Sequence, residues 1–162
     1  KKNDSVFQKW CQGNTGFPIV DAGMRELNAT GYMHNRSRLI TSGFLVKLAM
    51  IDWRKGEKYF ATRLIDYDPA QNNGGWQWSS GSGADSQPYF RVISPINQSI
   101  KFDPMAKYIK KWCPELASVE AKHLHDWEKW SGKYSHIKYP EPCLNYKEAR
   151  KEVLGLYKKH LG

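Results

Sequence analysis

The chain has 162 residues, within the usual range of a single domain, and carries 25 Lys plus Arg against 16 Asp plus Glu, a formal net charge of +9. No apolar run approaches the ~20 residues that a membrane-spanning helix needs, and the segment Lys1 to Ser5 is not followed by the apolar stretch of a secretory signal. Seven Trp, nine Tyr and six Phe add stacking faces to this excess of cations. DNA is therefore favoured as a partner over a basic surface that is merely solvated.

The three cysteines, Cys11, Cys113 and Cys143, are odd in number, widely separated and without CxxC spacing. This pattern predicts neither a disulfide framework nor a zinc site. We expect reduced, buried thiols in an intracellular protein, in the cytoplasm or the nucleus. His123 and His125 lie two residues apart, but nothing nearby completes a ligand set, so we assign no metal site.

Two helices are predicted before residue 32. Asp4-Ser5 is a capping pair for a short helix whose apolar residues recur three or four apart, and the turn from Gly13 to Gly16 ends that helix. Pro18 suits a first helical turn. Apolar residues with helical spacing follow it until Gly31 ends the second helix.

Two more helices are predicted between residues 32 and 65. Apolar residues from Tyr32 to about Ile51 form one broad stripe, which is typical of a buried helix of several turns. Asn35 and Arg38 are three residues apart and therefore share a face outside the main axis of that stripe. The segment from Arg54 to Ile65 is a further amphipathic helix.

A long loop is predicted between Asp66 and Asp103, where Gly, Ser, Asn and Pro are frequent. Its first part brings carboxylates, carboxamides and two indoles together, and Pro69 and the Gly74-Gly75 pair forbid a continuous helix there. A loop with these side chains suits a planar aromatic ligand with polar edges. The simpler interpretation is that the two tryptophans only fill the core. A loop of this length is typical of a functional segment.

Helical patterning returns at Pro104 to Trp112 and at Asn145 to Leu161. No internal repeat and no low-complexity tract is visible. The sequence therefore predicts an all-α fold in which residues 1–162 form one helical domain.

The order of the residues resembles the C-terminal half of the FAD-binding helical domain of DNA photolyases and cryptochromes. It is closest to the bacterial-type, class I cyclobutane pyrimidine dimer photolyases. The segments that carry the resemblance are WCQGNTGFPIVDAGMR (10–25), YMHNRSR (32–38), DWR (52–54), DYDPAQNNGGWQW (66–78) and PYFR (88–91). The resemblance implies a long ordered loop in the helical domain. It also implies that the N-terminal α/β antenna domain and the segment that binds the flavin phosphates are absent here.

FAD is the cofactor that the resemblance implies. Asn72 would face the reactive N5 edge of the flavin, and Arg38 could pair with Asp66 or Asp68 and compensate negative charge on the reduced flavin. The residues expected to line the cofactor are Tyr32, Asn35, Arg38, Asp66, Tyr67, Asp68 and Asn72. Trp76 and Trp53 match the inner and middle members of the tryptophan chain that carries an electron to the flavin. With Asn72 they are the candidate catalytic residues.

DNA that contains pyrimidine dimers is the substrate that the resemblance implies. Trp78 matches an indole that holds the dimer after it has been flipped out of the duplex, a mechanism for which photolyases are a standard example. Asn35 and Arg36 match lesion-side contacts, while Arg91 and Gln98 match backbone-side contacts. We expect light-driven dimer repair by electron transfer from reduced FAD in a complete or split photolyase, with this chain inactive by itself.

Two alternatives remain open. A cryptochrome-type blue-light photosensor would use the same flavin, but Asn72 and Trp78 argue against it because plant cryptochromes carry Asp at the first position. A flavin-free basic module that binds DNA or complements another polypeptide is the second alternative. The missing N-terminal photolyase portion could then be a separate chain, and exposed apolar surface at a severed interface would favour homo-oligomers.

Overall fold

The computed structural model describes residues 2–66 and 94–161, and within those ranges the chain forms helices and no strands. The α-helices are α1 (Lys2–Gln12), α2 (Pro18–Thr30), α3 (Asn35–Gly43), α4 (Trp53–Arg63), α5 (Pro95–Phe102), α6 (Lys107–Trp112), α7 (Ala121–His125), α8 (Trp127–Trp130) and α9 (Tyr146–Leu161). A π-helical turn (Phe44–Leu48) and two 3₁₀ turns (Pro114–Leu116 and Ser131–Tyr134) complete the set. The predicted all-α class is confirmed. None of the helices in the described ranges is both long and apolar enough to cross a bilayer.

The first two helices lie close to their predicted positions. Helix α1 begins at Lys2, so Asp4 lies inside its first turn and does not cap it, which corrects the predicted start. A carboxylate in that turn still interacts favourably with the positive end of the helix dipole. Helix α2 begins at Pro18 and ends before Gly31, which adopts φ 74° and donates its N–H to the Leu27 carbonyl.

The predicted helix from Tyr32 to Ile51 is wrong at both ends. Helix α3 begins only at Asn35, because the His34 ring accepts a hydrogen bond from the Arg36 N–H and caps the helix there. The α-helical pattern then changes to the π-helical turn, and Met50 follows with φ 55°. A positive φ in a non-glycine residue is incompatible with a continuing α-helix, so the helical segment ends before it.

The predicted loop from Asp66 to Asp103 contains helix α5 in its last part, which is a second correction. The Ser94 hydroxyl accepts a hydrogen bond from the Asn97 N–H, and Pro95 occupies the first helical position. This is a standard start signal, but the helix has only eight residues and follows a segment rich in Gly, Ser and Asn, so it was not distinguished from the loop. Residues 67–93 lie outside the described part of the chain.

The other predicted helices are confirmed with small shifts at their ends. Helix α4 begins one residue before Arg54 and ends at Arg63, while α6 begins at Lys107 and α9 at Tyr146. The Pro-, Trp- and Lys-rich connection between Trp112 and Asn145 contains α7, α8 and both 3₁₀ turns.

A hydrophobic core runs from α1 to α8, and the indole of Trp10 is fully buried in it. The Trp10 ring stacks on Phe60 of α4 with centroids 5.8 Å apart and planes 10° apart. Its Nε1 donates to the Thr41 carbonyl of α3 at 3.0 Å. Because the hydrogen bond leaves no polar atom of the indole unpaired, this large side chain can be buried completely. The contacts join α1, α3 and α4.

The carboxylate of Asp21 in α2 is fully buried and accepts four hydrogen bonds. Thr15 donates its N–H and its hydroxyl at 2.7 Å each, Gly16 donates its N–H at 3.0 Å, and the Tyr139 hydroxyl donates to the second oxygen. Burial raises the pKa of Asp21, while these four donors act in the opposite direction. Gly16 has φ 83°, and a Cβ there would lie 2.4 Å from the Glu141 carbonyl oxygen. Only glycine therefore fits at this turn.

The two histidines of the connecting region take part in separate buried contacts. The His123 ring stacks on Trp130 with centroids 4.2 Å apart, and its Nδ1 lies 2.6 Å from the Tyr134 hydroxyl. His125 has its Nδ1 2.6 Å from the Ser99 hydroxyl of α5. The two rings therefore have different hydrogen-bonding partners, and these contacts stabilise the packing of the connecting region.

All three cysteines are free thiols. Cys11 and Cys113 are buried as predicted, while Cys143 is only half-buried. Desolvation raises the pKa of Cys11 to about 11 and that of Cys113 and Cys143 to about 12. The thiolate form is therefore scarce at neutral pH.

We expect Asp21→Asn to lower the free energy of unfolding by about 2–4 kcal/mol at neutral pH, because the amide nitrogen would face N–H and O–H donors. Urea denaturation followed by circular dichroism measures the loss. Asp4→Asn is the matched control, since the Asp4 side chain is 74% exposed, and we expect it to change stability by less than about 0.5 kcal/mol. Equal stability of Asp21→Asn and the parent would show that the carboxylate is not required.

We expect native thiols to react slowly with a disulfide reagent at about pH 8, since a thiol with a pKa of about 11 is ionised only about once in a thousand molecules there. All three cysteines should react rapidly after unfolding in urea. Time-resolved absorbance of the released thiolate gives both rates. The variant Cys143→Ser shows which part of the labelling comes from the half-buried thiol. Rapid labelling of Cys143 in the native protein at about pH 8 would contradict the expectation.

Candidate functional site

Arg38 of α3 has three contacts that fix its guanidinium. Its Nη2 donates to both carboxylate oxygens of Asp66 at 3.0 and 2.9 Å, and its Nε donates to the Met33 carbonyl at 2.8 Å. The guanidinium carbon lies 5.6 Å from the centroid of the Tyr32 ring. Three of the predicted cofactor residues, Tyr32, Arg38 and Asp66, therefore come together. We call these three residues the Arg38 cluster.

The joint between α2 and the end of α4 explains why Asp66 lies beside Arg38. The Ile65 N–H donates to the Gly31 carbonyl at 2.7 Å. A Cβ on Gly31 would lie 2.7 Å from Cγ1 of Ile65, so the two segments approach more closely than another residue would allow. The residues next to this joint, Tyr32 and Asp66, are thereby placed on either side of Arg38.

The Arg38 cluster is open to solvent on its Asp66 side. The side chain of Arg38 is 26% exposed and that of Asp66 is 52% exposed, so the ion pair adds at most about 1 kcal/mol to stability. Tyr32 is 48% exposed and Ile65 is 82% exposed. An accessible aromatic face, an apolar side chain, a guanidinium and a carboxylate thus lie together. This combination matches a planar heteroaromatic ligand with a polar edge.

The predicted DNA-contacting residues Arg36 and Gln98 also meet. Arg36 of α3 donates from Nη1 to Oε1 of Gln98 of α5 at 3.4 Å, a long hydrogen bond on the protein surface. We call this pair the Arg36 surface. Asn35 is exposed in the first turn of α3 beside Arg36, and it lies one helical turn from Arg38. The start of α3 therefore carries candidate residues for cofactor binding and candidate residues for DNA binding.

Trp53 is the first residue of α4 and is half-buried against the hydrophobic core. Asp52 caps this helix by accepting the Arg54 N–H at 2.9 Å, and the Arg54 guanidinium carbon lies 5.7 Å from the Trp53 ring. An open depression beside the ring is lined by Val46, Met50, Ile51, Asp52, Trp53 and Arg54. The helix cap fixes the backbone of Trp53, and part of its ring remains accessible.

The remaining predicted site residues fall outside the described part of the chain. They are Tyr67, Asp68, Asn72, Trp76, Trp78 and Arg91. Their roles stay predictions.

The sequence reasoning missed His34, which caps α3 between the Arg38 cluster and the Arg36 surface. Histidine is not among the usual N-cap residues, so no start signal was recognised at residue 34 and the helix was predicted from Tyr32. Glu26 and Tyr108 were missed as well. The Tyr108 hydroxyl donates to the Glu26 carboxylate at 2.6 Å, and the same carboxylate oxygen accepts the His34 N–H at 3.4 Å.

Three known proteins show what the chain is similar to. It is 54% identical over 158 residues to a deoxyribodipyrimidine photo-lyase of Buchnera aphidicola, which covers 97% of this chain and 33% of that protein. The crystal structure of the archaeal photolyase from Sulfolobus tokodaii with two FAD molecules matches with a TM-score of 0.87 and 47% identity, over 97% of this chain and 35% of that one. The cryptochrome of Synechocystis matches with a TM-score of 0.88 and 36% identity, over 96% of this chain and 33% of that one.

This chain therefore spans about a third of the length of the relatives that it matches. The family profile described as the FAD binding domain of DNA photolyase matches residues 1–159, which is nearly the whole chain. Together with the helical fold, this match establishes that the chain belongs to the family of FAD-binding domains of DNA photolyase.

Proposed function

We propose that this chain supplies part of the FAD site and part of the DNA-binding surface of a cyclobutane pyrimidine dimer photolyase. The observation that carries the proposal is the convergence of Tyr32, Arg38 and Asp66 at the Gly31–Ile65 joint. Asp66 is 28 residues from Arg38 in the sequence, and all three residues match positions that the resemblance assigns to the cofactor. The protein would use light to repair pyrimidine dimers in DNA.

The aromatic, cationic and acidic groups of the Arg38 cluster are of the kinds that could bind FAD. FAD, when bound, would supply the electron that splits the cyclobutane ring of the dimer. Arg38 would offset negative charge on the reduced cofactor. Asp66 already holds the guanidinium in place at 2.9 Å. The tyrosine face and the neighbouring apolar surface would exclude water from one side of a flat ring.

The Arg36 surface supports the assignment of DNA as substrate. Arg36 is exposed and is only weakly held by Gln98, so its guanidinium is accessible to a phosphate. The net charge of +9 would add a salt-dependent attraction for the duplex. Stacking of the flipped dimer on Trp78 and a backbone contact by Arg91 complete the proposal, with Trp53 and Trp76 as the electron path and Asn72 at the flavin edge.

A second candidate function is blue-light sensing, which the similarity to a cryptochrome favours. Repair is preferred because the curated relatives with the higher identity are named photolyases. Asn72 and Trp78 are the residues that separate the two functions. Repair of a dimer-containing oligonucleotide under blue light, by the protein that contains this chain, distinguishes them directly.

We expect Arg38→Met to raise the dissociation constant for FAD at least about tenfold in the protein that contains this chain, since it removes the cation proposed to lie beside the flavin. Quenching of flavin fluorescence measures the affinity. Arg150→Met on the exposed face of α9 is the control with the same loss of charge. Equal effects of the two substitutions on FAD affinity would contradict the assignment of Arg38.

We expect Arg36→Ala to weaken binding of a duplex with one pyrimidine dimer by about 5–30-fold and to reduce the slope of log affinity against log salt by about one. Fluorescence anisotropy at several salt concentrations gives both values. Arg150→Ala serves as the control because it removes the same charge from another surface. If both substitutions weakened binding equally, only the net charge would matter, and the Arg36 surface would not be the binding site.

A further inference from the structure

The imidazole of His34 holds the first turn of α3. Its Nδ1 lies 3.1 Å from the Arg36 nitrogen and accepts the N–H of that residue. A neutral imidazole has one acceptor nitrogen, whereas an imidazolium carries a proton on both nitrogens and accepts nothing. The cap is therefore available only while His34 is neutral. Protonation would also put a positive charge at the positive end of the helix dipole.

His34 contacts two other helices directly, and a third helix supports those two contacts. Its N–H donates to Glu26 of α2 at 3.4 Å, and its ring lies 5.2 Å from the ring of Phe102 in α5. Phe102 packs edge-on against Tyr108 of α6 at 5.3 Å, and the Tyr108 hydroxyl donates to Glu26 at 2.6 Å. The imidazole is thus held at the N-terminus of α3 by packing as well as by its hydrogen bond.

The charged and titratable groups around His34 are Glu26, Arg36 and Tyr108. One oxygen of the Glu26 carboxylate accepts the Tyr108 hydroxyl and the His34 N–H. Burial and the bond to Glu26 raise the pKa of Tyr108, so that hydroxyl remains a donor throughout the accessible pH range. The Arg36 N–H loses its acceptor whenever the His34 ring is protonated.

We propose that His34 is a positioning residue for DNA binding, in which the neutral ring fixes the first turn of α3 and with it the Arg36 side chain that meets Gln98. This inference rests on the proposed function, because it assumes that the Arg36 surface binds DNA. Affinity for DNA then falls when this one ring is protonated. Protonation of other histidines adds positive charge and strengthens DNA binding in general, so a fall in affinity is opposite to the nonspecific effect.

The test measures anisotropy of a dimer-containing duplex at constant ionic strength, at about pH 8 and about pH 5.5, the range over which histidine usually changes its charge. His34→Ala removes the acceptor and should weaken binding about fivefold at pH 8, the usual effect of losing an N-cap. His34→Asn supplies an acceptor that does not titrate, and it should recover most of that loss. The parent should lose about fivefold relative to His34→Asn when the pH is lowered.

Two results would overturn the inference while leaving the proposed function intact. One is an identical pH dependence of the parent and His34→Asn, and the other is undiminished binding by His34→Ala. A separate measurement does not depend on DNA. The amide proton of Arg36 should shift in NMR spectra of the free protein as the pH is lowered and should not shift in this way in His34→Asn. A constant Arg36 signal would refute the cap, whereas absence of DNA binding by the parent with an intact cap would refute the proposed function.

Discussion

The buried carboxylate of Asp21 is the interaction on which the described fold depends. A charge without solvent is tolerated only when its lone pairs are occupied, and here Thr15, Gly16 and Tyr139 supply the donors. Tyr139 is 118 residues away, so one side chain of α2 joins the turn before it to a segment close to the last helix. The Cys143 N–H donates to the Thr15 carbonyl at 2.7 Å and strengthens this connection. Helix α2 is thereby fixed at its beginning.

The position of α2 determines where the functional groups lie. Glu26 holds the His34 backbone, and Gly31 at the end of the helix holds the segment that carries Asp66. Both contacts fix the start of α3. Arg36 and Arg38 are two residues apart there, so their side chains leave the helix in directions about 200° apart. In the proposed function, one helical turn would direct one guanidinium toward DNA and the other toward the cofactor.

Much of this arrangement could be predicted from the sequence. Regular apolar spacing and the terminal Pro and Gly residues predict α2. The sequence also predicts a pair of Arg38 with Asp66 or Asp68, and Asp66 makes such a contact. Helix α5 was missed because its eight residues form only about two turns and follow a segment rich in Gly, Ser and Asn. The start of α3 was missed because its cap is a histidine. Asp21 was not recognised as buried, since a charged residue in an amphipathic pattern is normally assigned to the solvent face and its partner Tyr139 is remote in sequence.

The three contacts of Arg38 have a consequence for the thermodynamics of ligand binding. A free arginine side chain loses up to about 2 kcal/mol of rotamer entropy when a ligand immobilises it. Here Met33, Tyr32 and Asp66 already restrict the guanidinium within the protein itself. Most of that entropy is therefore lost during folding, and a ligand arriving at the cluster encounters a preorganised cation. The affinity of the site is thus partly determined by the free energy of folding.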